Sequence, residues 1–318
     1  MNTASATPAV PTSIRQYLDQ LRHALRDADP AMLQDALYDA EEYLRGELAG
    51  SPGRSEAEVV ADVAGSYGAP SEVAEIYRDT EVKVSRALRP PPPPQRRSLL
   101  GRFFAVAGDV RAWSALFYMA LSLATGVFYF TWAVTGVSLS AGLSVLIIGI
   151  PFVILFLASV RLLSLVEGRM VEVLLGERMP RRPISSASEL PLLARIAAMF
   201  ADPRTWTTLL YMLLMLPLGI VYFSVLVTGI SLALTAILVP PAVWFGAVET
   251  GVSVDGWQVL RYGDGWASSS LAAWQLPLLL IAGVLLLFVM LHLARAIGRG
   301  HGLLAKALLV QAGSRDRR

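Results

Sequence analysis

The sequence predicts an all-α protein in which a small cytosolic helical domain precedes a four-crossing transmembrane helical bundle made of two parallel repeats. Of the 318 residues, 54% are hydrophobic and 16% are charged, which is more apolar than soluble proteins usually are. The apolar residues concentrate after Leu99, whereas the part before it alternates charged and apolar residues with a helical period. A passage beginning at Tyr118, YMALSLATGVFYFTWAVTGVSL, also returns at Tyr211 as YMLLMLPLGIVYFSVLVTGISL.

The composition excludes several kinds of chemistry. The chain has no cysteine, which rules out disulfides, a thiolate nucleophile and cysteine-ligated metals. Its net charge of +2 is small, and basic residues beside membrane helices usually mark orientation, so we expect no direct contact with nucleic acid. No secretory signal precedes Trp113, so the N-terminal part is expected to stay in the cytosol.

Residues 13–88 are predicted to form four helices, after a disordered segment of residues 1–12. Ser13 is a plausible N-cap of the first helix, and Asp29 with Pro30 begins the second. Ser55 and Glu58 have the spacing of a capping box at the start of the third helix. The fourth is expected to begin near Ser71. Short loops between such helices predict a compact helical domain.

These helices resemble the bacterial HAAS signalling domain in the pieces YLDQLRHAL, DPAMLQDALYDAEEYL and YGAPSEVAEIY, from about Ile14 to Arg78. Ala69 departs from the family pattern, which commonly has an acidic residue there. The resemblance implies a cytosolic interaction module, often found with PadR-type transcription regulators, so a regulator of that kind is an expected partner. The acidic face of the second helix is either a partner-binding surface or an ordinary solvated face; its candidate binding residues are Asp35, Asp39 and Glu42.

Residues 89–98 are predicted to be a stiff, basic linker. Pro90 to Pro94 favour the extended polyproline form, at about 3.1 Å per residue, which would hold the helical domain at a fairly fixed distance from the bilayer. A proline-rich ligand for a recognition domain is the alternative.

The membrane part divides into two repeats, residues 99–183 and 184–311, followed by a tail, residues 312–318. Positions are called matched here when they coincide after Tyr118 is aligned with Tyr211, or Arg161 with Arg295. The first alignment also matches Asp109 with Asp202, each expected to cap a crossing helix. The second repeat carries an additional polar insert, residues 248–273.

The distribution of charge predicts the topology. Basic residues cluster before the first crossing, between the second and third, and after the fourth, so the insert is expected outside and both termini in the cytosol. The segment Ile230 to Ala247 is expected to re-enter or lie against the bundle, because Pro240 and Pro241 interrupt it. The predicted crossings are Trp113 to Val134, Leu143 to Leu163, Trp206 to Val227 and Leu276 to Ala296.

The order of motifs from about Asp109 to Val310 resembles the sensor domain that precedes many bacterial sensor histidine kinases. The DPRTW entry, the YF and TG pairs and the late insert of the second repeat carry this resemblance. Only QAGSRDRR follows Val310, so we expect any output to pass through the N-terminal domain or a partner.

The spans show few groups that could perform chemistry. The three histidines, His23, His292 and His301, are scattered, and no metal spacing, phosphate loop or nucleophile motif is present, so neither an enzyme nor a cofactor is predicted. An apolar, hydroxyl-lined seam between the repeats would suit a lipid-like ligand, although aromatic belts and packing contacts explain the same residues. The candidate ligand-binding residues are Tyr129, Thr135, Tyr222, Thr228, Trp244, Trp257 and Trp266.

These features together predict a non-enzymatic sensor or regulator of the bacterial cytoplasmic membrane. A signal in the bilayer or at its outer face would be coupled to the cytosolic helical domain. The alternatives are a transport component that handles lipids or amphiphiles, and a passive membrane tether. Expected partners are membrane lipids, a cytosolic regulator and a second copy of the chain.

Overall fold

The computed structural model describes residues 10–88, 98–143, 146, 149–180, 200–245 and 274–310, and all regular structure in these ranges is helical. The first four helices follow one another with short connections, as predicted. They are α1 (Ile14–Ala24), α2 (Pro30–Gly50), α3 (Glu56–Ser66) and α4 (Pro70–Leu88).

The predicted starts of the first three helices are confirmed by their capping hydrogen bonds. Ser13 Oγ accepts from the backbone N–H of Gln16 at 3.2 Å. Asp29 Oδ1 accepts from the N–H of Ala31 at 2.9 Å, with Pro30 in the first turn. Ser55 and Glu58 form the reciprocal capping box, and the two hydrogen bonds with Ser55 lower the pKa of Glu58.

The N-terminal helices share one hydrophobic core, formed by side chains from all four of them. Tyr17 of α1 is fully buried, and its hydroxyl donates to the carbonyl of Gly68 at 2.7 Å. Gly68 has a φ of +119°, which favours glycine, and it connects α3 to α4. The largest buried side chains of this core are Tyr17, Leu21, Leu25, Met32 and Leu44.

Four of the remaining helices are long and apolar enough to cross a membrane, which identifies a membrane protein. Their most apolar windows have mean hydropathies from 1.4 to 2.7, and each exceeds the roughly 20 residues that span the hydrocarbon core. A short helix, α5 (Leu99–Phe104), and a 3₁₀ turn (Ala105–Gly108) precede them. The long helices are α6 (Val110–Leu143), α7 (Gly149–Leu175), α8 (Pro203–Trp244) and α9 (Gln275–Leu309).

Helix α8 corrects the expectation that a separate segment begins at Ile230. The helix runs without interruption from Pro203 to Trp244, with Pro217, Pro240 and Pro241 inside it. Each proline removes one backbone donor, but the last two lie within the final turns, where little helix remains to be broken. The second crossing also starts later than predicted, because Leu143 ends α6 and α7 begins at Gly149.

The chain forms two compact units, and each draws on both halves of the membrane part. Unit 1 comprises residues 1–91, 131–213 and 301–318, and unit 2 comprises residues 92–130 and 214–300. The predicted linker and insert, residues 89–98 and 248–273, lie outside the described residues apart from Ser98.

Close backbone approach at two glycines holds unit 2 together. A Cβ atom at Gly126 of α6 would collide with the backbone carbonyl of Met215 in α8. At the matched position, a Cβ at Gly219 of α8 would collide with the backbone carbonyl of Ser122 in α6. Small residues permit this kind of close helix crossing in membranes.

Two contacts position helix α9 within unit 2. Asp109, just before α6, pairs with Arg295 of α9 at 3.1 Å. Met290 of α9 lies against Gly229 in the second half of α8. Helix α9 therefore contacts both the start of α6 and the second half of α8.

Candidate functional site

The N-terminal domain is joined to the membrane helices by largely buried ion pairs within unit 1. Arg178 lies in the turn of residues 176–180, which begins where Gly176, at a φ of +75°, ends α7. Its guanidinium lies 3.4 Å from Asp35 of α2 and 3.4 Å from Glu81 of α4. The side chain of Arg178 is 11% exposed and that of Asp35 only 7%. A paired charge with this little exposure is costly to leave without its partner.

A second ion pair joins the same domain to the end of α9. Lys306 contacts Asp29, the residue that caps α2. The N-terminal domain is therefore attached at two places, the turn after α7 and the last turns of α9. We call this set of contacts the junction: Asp29, Asp35 and Glu81 on the N-terminal domain, with Arg178 and Lys306 opposite them.

The turn that carries Arg178 packs on two glycines of the long helices. Met179, which is fully buried, lies against Gly168 of α7, and Glu177 lies against Gly302 of α9. Gly168 and Gly302 are matched positions. A Cβ atom at Gly302 would collide with Glu177, so the turn needs glycine there, whereas a Cβ at Gly168 would make ordinary contact with Met179.

The residues that precede these two glycines, Glu167 and His301, belong to one buried polar cluster. Tyr211 of α8 donates its hydroxyl to Glu167 Oε1 at 2.8 Å, and the same hydroxyl lies 3.0 Å from His301 Nε2. All three residues are 1% exposed. Glu167 and His301 are matched positions too, so the two repeats supply different titratable groups to one tyrosine.

The capping aspartates of the two repeats have matching surroundings. Asp109 accepts from the N–H of Arg111, and Asp202 from the N–H of Arg204, both at 3.0 Å. In unit 1 Asp202 also pairs with Arg161 at 3.1 Å, just as Asp109 pairs with Arg295 in unit 2. Each aspartate thus pairs with the arginine of the other repeat.

Unit 1 also contains an apolar cavity of about 410 Å³. It is lined by residues of α6, α7 and α8, including Val137, Ser140, Ile150, Phe156, Trp206 and Leu209. Its walls suit an aliphatic group more than a polar one.

Of the residues predicted to bind a ligand, none of the five that the structure describes lines this cavity. Tyr129 is buried and Tyr222 half-buried, whereas Thr135 and Thr228 are exposed. Trp244 is exposed at the end of α8. Trp257 and Trp266 lie outside the described residues.

The three acidic residues predicted to bind a partner have different surroundings. Asp35 is buried against Arg178, so it does not belong to the exposed acidic face expected from the sequence. Asp39 accepts a hydrogen bond from the Tyr77 hydroxyl at 2.8 Å, and burial together with this bond raises the pKa of Tyr77 well above its usual value. Glu42 is exposed.

Sequence reasoning missed Arg178, Glu167 and the role of His301. The sequence did indicate Glu167 and His301, because these two residues coincide when Arg161 is aligned with Arg295. Within the described ranges, no three His, Asp or Glu side chains are grouped as metal ligands.

One comparison with known proteins gives a match. The model of a family described as "Putative sensor" matches residues 118–309, which is more than half of the chain. No curated protein and no solved structure matches. Residues 118–309 contain Tyr211, Glu167 and His301. They also contain Arg178 and Lys306, the two junction residues of the membrane part.

Proposed function

The chain belongs to the Sensor family, and we propose that it is a non-enzymatic membrane sensor that passes a signal from its membrane helices to its N-terminal helical domain. The observation that carries this proposal is the pairing of Arg178 with Asp35 and Glu81. A buried ion pair is sensitive to small displacements, because its attraction offsets a large desolvation cost only at close range. Movement of α7 would therefore alter the docking of the N-terminal domain.

The path of this coupling follows contacts within unit 1. A shift of α7 or α9 displaces Gly168 or Gly302, on which Met179 and Glu177 rest. Arg178 lies between those two residues. A signal that favours one packing of the helices over another would thus change the stability of the junction.

The proposed location is the bacterial cytoplasmic membrane, with both termini in the cytosol and lipids around the long helices. The contact of Lys306 with Asp29 supports a common side for the N-terminal domain and the end of α9. The basic residues at these helix ends favour the cytosolic side.

The proposed output is the binding of a cytosolic regulator by the N-terminal domain. The resemblance of this domain to HAAS modules supports a regulator of the PadR type. Because Asp35 and Glu81 are engaged by Arg178 in this structure, undocking would expose acidic groups that a partner could bind.

The test is affinity capture in mild detergent with three forms of the protein: the full chain, the full chain with Arg178→Ala, and a form lacking residues 13–88. We expect one cytosolic regulator to be retained by the first two forms in different amounts and to be absent from the third. If the full chain and the deletion retain the same proteins, the N-terminal domain does not provide the output and the proposal fails.

A further inference from the structure

We propose that Glu167, Tyr211 and His301 form a proton-binding site whose occupancy controls the docking of the N-terminal domain. This inference rests on the proposed function and names its signal: a proton taken up by the membrane part. Three helices contribute one titratable side chain each to the site, which is buried within unit 1.

The hydrogen bonds of the cluster depend on where its protons are. A tyrosine hydroxyl has a single proton, and here Tyr211 gives it to the Glu167 carboxylate. The short contact with His301 is then a hydrogen bond only if the imidazole carries a proton on Nε2 and donates it to Tyr211. The geometry therefore couples the protonation of Glu167 to the tautomer and charge of His301 through one shared oxygen.

The charge of the cluster gives proton uptake its driving force. With Glu167 ionised and His301 neutral, the three side chains carry one negative charge, which is costly in a buried site. One additional proton, on either Glu167 or His301, makes the cluster neutral and keeps both hydrogen bonds to Tyr211. Proton uptake thus neutralises the cluster without changing its hydrogen bonds to Tyr211.

Most other charged groups on the packed elements are paired within unit 1, and Arg204, a further cation at the start of α8, interacts with Asp202 and Arg161. Arg161 pairs with Asp202, Arg169 with Glu172, and Lys306 with Asp29. On the turn of residues 176–180, Arg178 pairs with the N-terminal domain, and Glu177 contacts Gly302 beside His301. Glu177 is the acidic group of the turn that a change of charge on His301 would attract or release.

The protonated site is linked to docking because its residues are adjacent in sequence to the glycines that contact the turn. Glu167 precedes Gly168 and His301 precedes Gly302, the two positions on which the turn rests. A change in the position or charge of either titratable residue acts on Glu177 and Met179, and so on Arg178 between them. We expect uptake of a proton to move the turn and shift the junction between docked and undocked forms.

The first measurement observes the imidazole of His301 alone. The double variant His23→Gln/His292→Gln leaves one histidine in the chain, so the ring signals of ¹⁵N-histidine-labelled protein in nanodiscs come only from His301. We expect them to change between about pH 4 and about pH 9, with a midpoint that Glu167→Gln moves by about one unit or more. If the double variant does not fold, the His301 signal is identified in the otherwise native chain by its loss in His301→Gln.

The second measurement follows docking in the same pH series. Because the chain has no cysteine, spin labels at Glu42→Cys and Leu303→Cys, both exposed, report the distance between α2 and α9. We expect this distance to change with the midpoint of the imidazole, and the midpoint to move in Tyr211→Phe, which removes the shared hydroxyl. His23→Gln, on an exposed face of α1, is the matched control and is expected to leave the midpoint unchanged.

The outcomes separate this inference from the proposed function. An imidazole that keeps one state over the whole pH range overturns the proton site, while the effect of Arg178→Ala on docking still tests the proposed function. An imidazole that titrates with no change in distance overturns the link to docking and also contradicts coupling through the turn. Matching midpoints support both.

Discussion

Arg178 is the residue on which docking of the N-terminal domain most depends. Its replacement by alanine removes the ion pair that Asp35 makes with Arg178, and removal of one partner from a buried ion pair costs about 3 to 5 kcal/mol. We therefore expect Arg178→Ala to weaken docking by roughly a hundredfold or more. The distance between spin labels at positions 42 and 303 is the measurement.

Arg54 supplies the matched control for this prediction. It also pairs with an aspartate, Asp62, at 3.0 Å, but the two side chains are 44% and 71% exposed. Exposed pairs contribute about 0 to 1 kcal/mol, so Arg54→Ala should leave docking unchanged. Equal effects of the two substitutions would show that general destabilisation, rather than the junction, causes the loss.

Tyr17 and Tyr77 predict that the N-terminal domain is sensitive to alkali. Burial is the main cause that raises the pKa of both phenols above the ordinary value of 10.0. The stability they contribute is fully present below about pH 10 and is lost as pH rises toward their folded-state values. Circular dichroism of the full chain should show helix loss above about pH 10, with a less steep pH dependence in Tyr17→Phe. The same steepness in that variant would contradict the assignment.

The role of a single residue was easiest to predict from the sequence where that residue contacts only its neighbours along the chain. Ser13, Asp29 and Ser55 cap the helices that the sequence indicates, because a cap depends on residues within one turn. The pairing of Asp35 with Arg178 joins positions far apart in the chain. No local pattern distinguishes Asp35 from Glu42, although one is buried and the other exposed.

At the scale of the helix, the crossing of α6 and α8 depends on two glycines. Gly126→Ala places a methyl group against the backbone of Met215, which cannot rotate away as a side chain could. Overpacking of this kind costs about 1 to 3 kcal/mol, so the variant should unfold at a lower temperature in detergent.

Gly142→Ala is the control on the same helix, since a Cβ there has no atom within 4 Å. Alanine favours helix over glycine, so this variant should be as stable as the parent or slightly more so. A lower melting temperature in both variants would argue against a specific contact at Gly126.

The extents of the long helices were harder to predict than their number. Hydropathy indicates four spans because each needs about 20 apolar residues, and the described ranges contain four helices of that kind. It does not indicate where a helix stops within a longer apolar run. Two prolines near a helix end, such as Pro240 and Pro241, look in the sequence like the break between two segments.

For the molecule as a whole, the proposed topology makes a direct prediction. Single cysteines at Glu42 in α2 and at Asp255 in the insert should react differently with an impermeant maleimide applied to intact cells. Asp255→Cys should be labelled from outside, because the insert is acidic, and Glu42→Cys only after the membrane is opened. Labelling of both in intact cells would reverse the proposed orientation of the N-terminal domain.

The organisation into two units was not evident from the sequence. The repeated passage divides the membrane part along the chain, whereas each compact unit takes residues from both repeats. The reason is that contacts such as Asp202 with Arg161 join one repeat to the other. Repeated residues reveal a duplication but not which copy a side chain will contact.

Asp109 pairs with Arg295, and Asp202 pairs with Arg161. Each repeat therefore carries a surface that is complementary to the same surface of the other repeat. Each repeat carries both an aspartate and an arginine, and each of these forms an ion pair with the other copy. Two separate chains of a single repeat could make both pairs with each other in an isologous dimer. The duplicated chain thus has the contacts of a homodimer fused into one polypeptide, and its two halves, produced as separate chains, should associate with one another.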